Sequence, residues 1–160
     1  VIKGNSSEIA YLAEGSGTTK GVDANLDALS TEGNLNRHAD RARKVSARTG
    51  AVIVISGPID IVADSHEAWA IRNGHPMMAK ITGTGCMSSA LAGACCAGGQ
   101  PLEAAVTAAA LMGICGEQAA AETRARGRGS GTFHAALLDA LSTISSEALA
   151  QNLHMEGASL

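Results

Sequence analysis

The sequence is poor in aromatic residues and carries no excess of positive charge. Only 2% of its 160 residues are aromatic, and its formal net charge is −3. Proteins that bind nucleic acids usually present a basic face, and those that bind single strands add aromatic rings on which bases stack. The composition therefore argues against a nucleic-acid-binding function.

Long uninterrupted apolar runs are also missing. No such run approaches the roughly 18 residues expected of a membrane-spanning helix, and the first residues do not combine a basic stretch with a long apolar one. We therefore expect neither a membrane partner nor a secretory signal.

Cysteine is present in a form that excludes two common uses. The spacing of Cys86, Cys95, Cys96 and Cys115 fits no zinc pattern, and two adjacent cysteines suit neither a metal clip nor an ordinary disulfide. A reducing, cytoplasmic location is the simpler interpretation. Because Cys95, Cys96 and Cys115 lie among Ala and Gly on predicted helices, we expect their side chains to pack in the core.

What the chain does have is enough apolar residues for one globular domain. Hydrophobic residues make up 46% of the sequence and charged residues 17%, as in soluble proteins with a core. The apolar patterns predict a short helix that begins at Asn5 and carries Ile9, Leu12 and Ala13 as its apolar stripe. They also predict helices over residues 34–49, 86–97, 101–124 and 130–145, and strands at residues 1–2, 51–55, 59–62 and 68–71. This alternation, with a strand pair inserted, predicts an α/β domain.

The two ends of the chain lead to separate predictions. Val1 and Ile2 resemble the end of a buried strand, so we expect an N-terminal portion to precede this sequence. Residues 146–160 are predicted to be a frayed tail after a domain at residues 1–145.

Within the strand pair, Asp60 and Asp64 alternate with apolar residues and are expected to point outward.

The strongest chemical signal is the segment Thr82-Gly83-Thr84-Gly85-Cys86, which opens a helix. Its glycines allow several backbone N–H groups to converge, and a helix N-terminus favours an anion such as a transferring phosphoryl group. The threonine hydroxyls add donors, so the segment is predicted to form an anion hole. The alternative is a tight loop without catalytic function.

Cys86 falls in the first turn of that helix. The helix dipole favours its thiolate, which can accept a proton from an attacking alcohol or act as a nucleophile. A small residue used only for packing is the simpler alternative.

The motifs around this segment resemble those of the hydroxyethylthiazole kinases, which belong to the ribokinase-like superfamily. The similar segments run in order over most of the chain, to about residue 145. They are Ile2-Lys3-Gly4-Asn5-Ser6-Ser7-Glu8-Ile9, Lys20-Gly21-Val22-Asp23, Asn73-Gly74-His75-Pro76-Met77, Lys80, the segment from Thr82 to Cys86, and the closing helix from Ser130 to Leu141.

The resemblance implies a three-layer sandwich with a central, mainly parallel sheet, and transfer of phosphate from ATP, with Mg²⁺, to the alcohol of 4-methyl-5-(2-hydroxyethyl)thiazole. It implies catalytic roles for Thr84, Gly85 and Cys86, where related kinases carry aspartate at the position of Cys86. By the same resemblance the other site residues are Gly83 for the thiazole, Lys3, Asn5 and Ser56 for ATP, and Glu8 for magnesium through water.

The family further implies a homotrimer with sites at subunit boundaries, and an N-terminal portion that supplies much of the thiazole pocket. Two alternatives stay open: another ribokinase-like kinase, such as one acting on hydroxymethylpyrimidine, and a non-catalytic nucleotide-binding fragment. From the residues alone, Glu8 is equally explained as a helix cap. Arg124, Arg126 and Arg128 are expected to be a solvated helix end, although they could reach nucleotide phosphates. His75 is either a loop residue or a group that positions the substrate.

Overall fold

The computed structural model describes residues 1–15 and 30–158. Its strands form one open sheet in the order β1-β2-β3-β4-β5, comprising β1 (Ile2–Asn5), β2 (Ile53–Ser56), β3 (Asp60–Ala63), β4 (Ala68–Ile71) and β5 (Met155–Gly157). The helices are α1 (Ser6–Glu14), α2 (Leu35–Thr49), α3 (Thr84–Cys96), α4 (Pro101–Ala125), α5 (Ser130–Thr143) and α6 (Ser146–Asn152), with 3-10 turns at Glu32–Asn34 and Pro76–Lys80. The α/β class is confirmed.

Local sequence signals set the helix ends. Asn5 caps α1 by accepting from the N–H of Glu8 at 2.9 Å, and the Glu8 carboxylate accepts from the N–H of Asn5 at 2.7 Å. This reciprocal pair is the predicted capping box. Helix α2 ends at Gly50, whose φ of 70° lies in the left-handed region that glycine adopts without a steric penalty.

The strand directions are more mixed than predicted. Strands β1 and β2 are parallel, whereas the pairs β2–β3, β3–β4 and β4–β5 are antiparallel. The turns after β2 and β3 are short, and a short turn can only return the chain antiparallel to itself, so the pairings β2–β3 and β3–β4 follow from loop length. The mainly parallel arrangement is therefore not seen in the described part of the sheet.

Helices cover both faces of the sheet. Helices α1 and α2 bury Ile9 and Val45 against one face, which carries Ile53, Ile55 and Ile61. Helix α4 covers the other face, and a last set of apolar side chains lies between α4 and α5, centred on fully buried residues including Phe133 and Leu137. Helix α4 is thus a core helix with packing partners on two sides.

Two glycines of α4 lie against the loop that follows β4. A Cβ atom at position 113 would lie 2.5 Å from the carbonyl oxygen of Asn73, and one at position 116 would lie 2.5 Å from the sulfur of Met78. Real Cβ atoms do not approach backbone this closely, so Gly113 is required for this contact, whereas a side chain at position 116 would only displace the flexible Met78 side chain.

The prediction of a frayed tail is wrong for residues 146–158. Ser145 caps α6 by accepting from the N–H of Ala148 at 3.1 Å, and β5 pairs antiparallel with β4. Arg72 forms ion pairs with Glu32 and with Glu156 of β5. Strand β5 has three exposed residues and no long apolar run, so it depends on tertiary pairing that the sequence pattern could not reveal.

Helix α4 is the described segment that comes nearest to a membrane span, although it contains no uninterrupted apolar run of about 18 residues. By length and composition α4 could cross a membrane, because its many alanines keep the average hydropathy high although no long run is free of polar residues. However, 67% of its most apolar window is buried inside the structure. A buried core helix passes the same test, so this is weak evidence for a membrane segment.

The glycine contacts can be tested by two alanine substitutions within helices. We expect Gly113→Ala to lower the free energy of unfolding by about 1–3 kcal/mol, because the new methyl group overlaps the backbone of Asn73. Gly93→Ala in α3 is the matched control: its Cβ would meet nothing within 4 Å, and it should stabilise the helix by about 0.5–1 kcal/mol. Denaturant titration measures both. Equal effects of the two substitutions would contradict the proposed close approach.

Candidate functional site

Four polar side chains meet at one edge of the sheet, where β1 and β2 end and β3 begins. Lys3 is paired with Val54 and Asn5 with Ser56, and Val54 is paired with Val62. Side chains alternate along a strand, so Lys3, Asn5, Ser56 and Asp60 belong to the sheet face that α4 covers. The first three are predicted ATP-binding residues, and the structure brings them together.

The glycine-rich segment forms the start of α3, as predicted. Gly83 is the N-cap with φ 99°, a conformation that favours glycine, and its carbonyl accepts from the N–H of Met87 at 2.9 Å. The N–H groups of the first helical turn have no partners within the helix and are available to an anion. The Thr84 hydroxyl, however, donates to the carbonyl of Met78 at 3.4 Å, so it points back to the preceding loop. Cys86 is an exposed free thiol in the first turn.

Lys3 connects the sheet edge to this helix start. Its Nζ donates to the carbonyl oxygen of Gly85 at 3.5 Å, across 82 residues of sequence. Among the residues the structure describes, no carboxylate forms an ion pair with Lys3. A cation therefore lies beside the positive end of α3 with its charge uncompensated by a direct partner, an arrangement that attracts anions.

Asn5 and Glu8 are engaged in the capping box, but not completely. One oxygen of the Glu8 carboxylate accepts from the N–H of Asn5, and within the described part of the chain no hydrogen bond reaches the other. Gly4 makes room for this carboxylate, since a Cβ there would lie 2.9 Å from its oxygen. The Ser56 hydroxyl donates to the Gly4 carbonyl at 3.4 Å. Glu8 thus acts as the predicted helix cap and keeps one oxygen for another partner.

No group of three or more His, Cys, Asp or Glu side chains that could hold a metal occurs within residues 1–15 and 30–158. Magnesium in phosphoryl-transfer sites typically keeps several waters and takes only one or two carboxylates together with phosphate oxygens. The free oxygen of Glu8 fits such an indirect role.

Asp60 is a part of this edge that the sequence pattern placed wrongly. Instead of pointing away from the protein, it lies partly buried on the sheet face that α4 covers, and its carboxylate accepts from the N–H of Gly57 at 2.9 Å. Burial raises the pKa of Asp60 to about 6, and the Gly57 hydrogen bond and the charge of Lys3 only partly oppose this. Alternation within β3 alone could not reveal this, because the burial depends on β2, which pairs with β3, and on α4, which covers this face of the sheet.

His75 and Arg124 meet although 49 residues separate them. One guanidinium nitrogen of Arg124 lies 2.7 Å from Nε2 of His75, and Nδ1 of His75 lies 3.1 Å from the N–H of Met77. Partial burial and the positive charge of Arg124 lower the pKa of His75, which favours the neutral ring. Arg124 is exposed in the last turn of α4, as predicted for a solvated helix end, and it also reaches the loop that leads into the predicted anion hole.

A buried hydrogen-bond network holds the same loop at its beginning. The Glu117 carboxylate accepts from the N–H of Gly74 at 2.8 Å and from the Asn73 side chain at 3.3 Å. The Asn73 side chain also donates to the Asn152 carbonyl at 2.9 Å and accepts from the N–H of His154 at 2.8 Å. Sequence reasoning did not single out Glu117, because its role depends on the chain segments that converge on α4.

The remaining predictions have simpler outcomes. Lys20-Gly21-Val22-Asp23 lies outside the described residues. All four cysteines are free, Cys115 is buried as expected, and burial raises the pKa of its thiol to about 11. Cys95 and Cys96 are partly buried.

Comparison with known proteins identifies relatives of one kind. The model of the "Hydroxyethylthiazole kinase family" matches residues 1–147. A hydroxyethylthiazole kinase of Desulfovibrio desulfuricans is 49% identical over 158 residues, covering 92% of this chain and 55% of the relative, and one of Methanobrevibacter smithii is 40% identical, covering 97% and 56%. A solved structure described as hydroxyethylthiazole kinase protein from Pyrococcus horikoshii OT3 superposes with a TM-score of 0.78 at 27% identity, covering 97% of this chain and 53% of that one. The chain thus spans about half the length of these relatives.

The burial of Asp60 leads to a prediction about stability and pH. Because its pKa in the folded state (about 6) exceeds the ordinary value of 3.8, folding favours the protonated form. That contribution is complete below pH 3.8 and is lost as the pH rises through about 6. We expect Asp60→Asn, which keeps an acceptor for Gly57, to be nearly neutral at about pH 4 and stabilising by about 1–3 kcal/mol at about pH 7.5.

Thermal unfolding monitored across this pH range measures the difference. Asp64→Asn is the control, because hydrogen bonds from the backbone of Glu67 and His66 lower the pKa of Asp64. Its effect has the opposite sign: the carboxylate of Asp64 contributes stability above the ordinary pKa, and this is lost as the pH falls. A pH-independent effect of Asp60→Asn would contradict the assigned burial.

The Glu117 network predicts a local loosening of the loop. We expect Glu117→Ala to cost about 2–4 kcal/mol of folding stability, because it leaves the Gly74 N–H and one donor of Asn73 unpaired. Hydrogen exchange at the Gly74 amide should accelerate. Glu122→Ala on the same helix, which removes an exposed ion pair with Arg126, should change stability by less than about 1 kcal/mol. Similar losses in both variants would exclude the positioning role.

Proposed function

Because the chain belongs to the hydroxyethylthiazole kinase family, we propose that the protein transfers the γ-phosphoryl group of ATP to the primary alcohol of 4-methyl-5-(2-hydroxyethyl)thiazole, in thiamine biosynthesis or salvage. The observation that carries the proposal is the contact of Lys3 with Gly85, because it sets a cation against the open N-terminus of α3. Phosphoryl transfer needs this kind of charge stabilisation around the equatorial oxygens.

The sheet edge is proposed to bind the nucleotide. Lys3 would contact the phosphates as a point charge, and the Ser56 hydroxyl and the Asn5 side chain lie on the same sheet face at its edge. Magnesium, when bound, would neutralise charge on the phosphate oxygens, and Glu8 would orient its water shell with the carboxylate oxygen that the capping box leaves free.

The start of α3 is proposed to hold the transferring group. The alcohol oxygen forms a bond to the γ-phosphorus while the bond to the leaving ADP oxygen breaks. Backbone N–H groups from Gly83 to Cys86 stabilise the charge on the transferred group, with Thr84 and Gly85 contributing through their backbone, and Gly83 would also contact the thiazole. The Cys86 thiolate would accept the alcohol proton, since its sulfur is exposed in the first turn.

The remainder of the proposed site lies beyond this chain. The chain spans about half of its relatives, so most of the thiazole pocket would come from sequence that it does not contain. We further propose that the protein is a cytoplasmic homotrimer and that its active sites lie at the boundaries between subunits.

A second candidate function is nucleotide binding without catalysis. It is favoured by the same partial coverage, because the described residues hold the phosphate-binding groups but not a closed alcohol pocket. A hydroxymethylpyrimidine kinase is the alternative within enzymes, and Cys86 argues against it, since aspartate is expected at this position in those enzymes.

A coupled assay of ADP release separates these possibilities. We expect turnover with ATP, Mg²⁺ and the thiazole alcohol, and none with hydroxymethylpyrimidine. Phosphorylation of the pyrimidine alone would refute the thiazole assignment. Binding of ATP, measured by calorimetry, without turnover of either alcohol would establish the non-catalytic function.

Replacement of Cys86 tests its role as proton acceptor. We expect Cys86→Asp to retain or increase kcat, because a carboxylate replaces the thiolate, and Cys86→Ala to lower kcat by roughly 10²-fold or more. The control is Cys95→Ala, at a partly buried position in the last turn of α3, which should leave kcat unchanged. Loss of all activity in Cys86→Asp, together with alkylation of the wild type that substrate prevents, would instead indicate a covalent nucleophile.

A further inference from the structure

We propose that Asp60 is a positioning residue of the nucleotide site, which holds the turn after Ser56 and keeps the Lys3 ammonium directed at the phosphates of ATP. The inference rests on the proposed function, because it assigns a nucleotide to this edge of the sheet. It adds a residue from the β2–β3 hairpin to a site otherwise built from β1, β2 and the start of α3.

The first argument is position. Lys3, Val54 and Val62 stand in register across three neighbouring strands, and Asp60 lies two residues before Val62, so its side chain leaves the sheet on the same face. Asp60 is also the first residue of β3, directly across the hairpin from Ser56, the last residue of β2. Its carboxylate therefore lies at the same edge of the sheet as the side chains that we propose bind the phosphates.

The second argument is the contact that Asp60 makes. One carboxylate oxygen accepts from the N–H of Gly57 at 2.9 Å, which closes the turn immediately after Ser56. Gly57 packs closely against Ser30, because a Cβ at position 57 would overlap the Ser30 hydroxyl. Displacing the Asp60 carboxylate would release the turn and with it the orientation of Ser56.

The third argument is charge. The positive charge of Lys3 acts on Asp60, but the two groups do not form an ion pair within 4 Å, and the Lys3 ammonium instead contacts the Gly85 carbonyl. An acid at this range draws the lysine toward the site and leaves its N–H donors free for a phosphate. A direct ion pair would occupy those donors.

Asp64 is a comparison acid on the same chain segment: it is partly buried like Asp60, but backbone hydrogen bonds stabilise its negative charge. Asp64 closes the next turn by accepting from the N–H groups of His66 and Glu67 at 2.7 and 2.8 Å, and its turn is largely exposed. An asparagine would serve equally as an acceptor in either turn. The negative charge of Asp60 is retained in a setting that disfavours it, as is common where a charge serves function.

The test is a double-mutant cycle in which the KM values for ATP and for the thiazole alcohol are measured by steady-state kinetics of thiazole phosphorylation. Asp60→Asn keeps the acceptor for Gly57 and removes the charge, so we expect the KM for ATP to rise roughly tenfold while the KM for the thiazole alcohol is unchanged. Lys3→Met should raise the KM for ATP further. The double variant should be no worse than Lys3→Met, because Asp60 acts through Lys3. Asp64→Asn is the matched control and should leave every constant unchanged.

The turn is followed separately by hydrogen exchange at the Gly57 amide, which should stay slow in Asp60→Asn and accelerate in Asp60→Ala. Unchanged KM for ATP in Asp60→Asn, or additive effects in the double variant, would overturn the proposal. If the wild type does not phosphorylate the thiazole, the proposed function fails. The same double-mutant cycle is then measured through the Kd for ATP by calorimetry. Non-additive effects of Asp60→Asn and Lys3→Met on this Kd support the proposal that Asp60 acts through Lys3, and additive effects refute it.

Discussion

The close approach of α4 to the segment after β4 is the constraint on which the candidate site depends. Gly113 removes the side chain that would block it, and Glu117 then reaches the Gly74 N–H and the Asn73 side chain. Because this segment runs directly into the start of α3, its position sets where the anion hole lies relative to the sheet. The packing of a core helix thus affects the position of the predicted phosphate-binding turn.

Within the described residues, the charged side chains at the sheet edge are not neutralised by direct ion pairs. The Lys3 ammonium contacts a carbonyl oxygen. One oxygen of Glu8 caps α1, and the other is free among the residues that the structure describes. Burial disfavours the charged form of Asp60. In the folded protein these groups are less stabilised than ordinary ion pairs would be. Such an arrangement suits a site that must accept a highly charged ligand, because the ligand supplies the missing partners.

Much of the secondary structure was predictable, because it depends on local chemistry. The capping box at Asn5 and Glu8 and the glycine after α2 are readable from short spacings, and both occur. By contrast, β5 could not be predicted, since a three-residue exposed strand exists only through pairing with β4. The burial of Asp60 was predicted wrongly for the same reason: alternation along one strand says nothing about what covers that face.

By itself, the sequence determined most of the elements, the glycine-rich helix start and the family resemblance, since each is read from short motifs whose residues lie within a few positions of one another. Only the tertiary structure decided which polar groups meet: Lys3 with Gly85 across 82 residues, Arg124 with His75, Glu117 with Asn73, and Asp60 with the site edge. These contacts arise from strand register and from the approach of α4 to its neighbouring loop. Both are properties of chain segments distant in sequence, which no local pattern encodes.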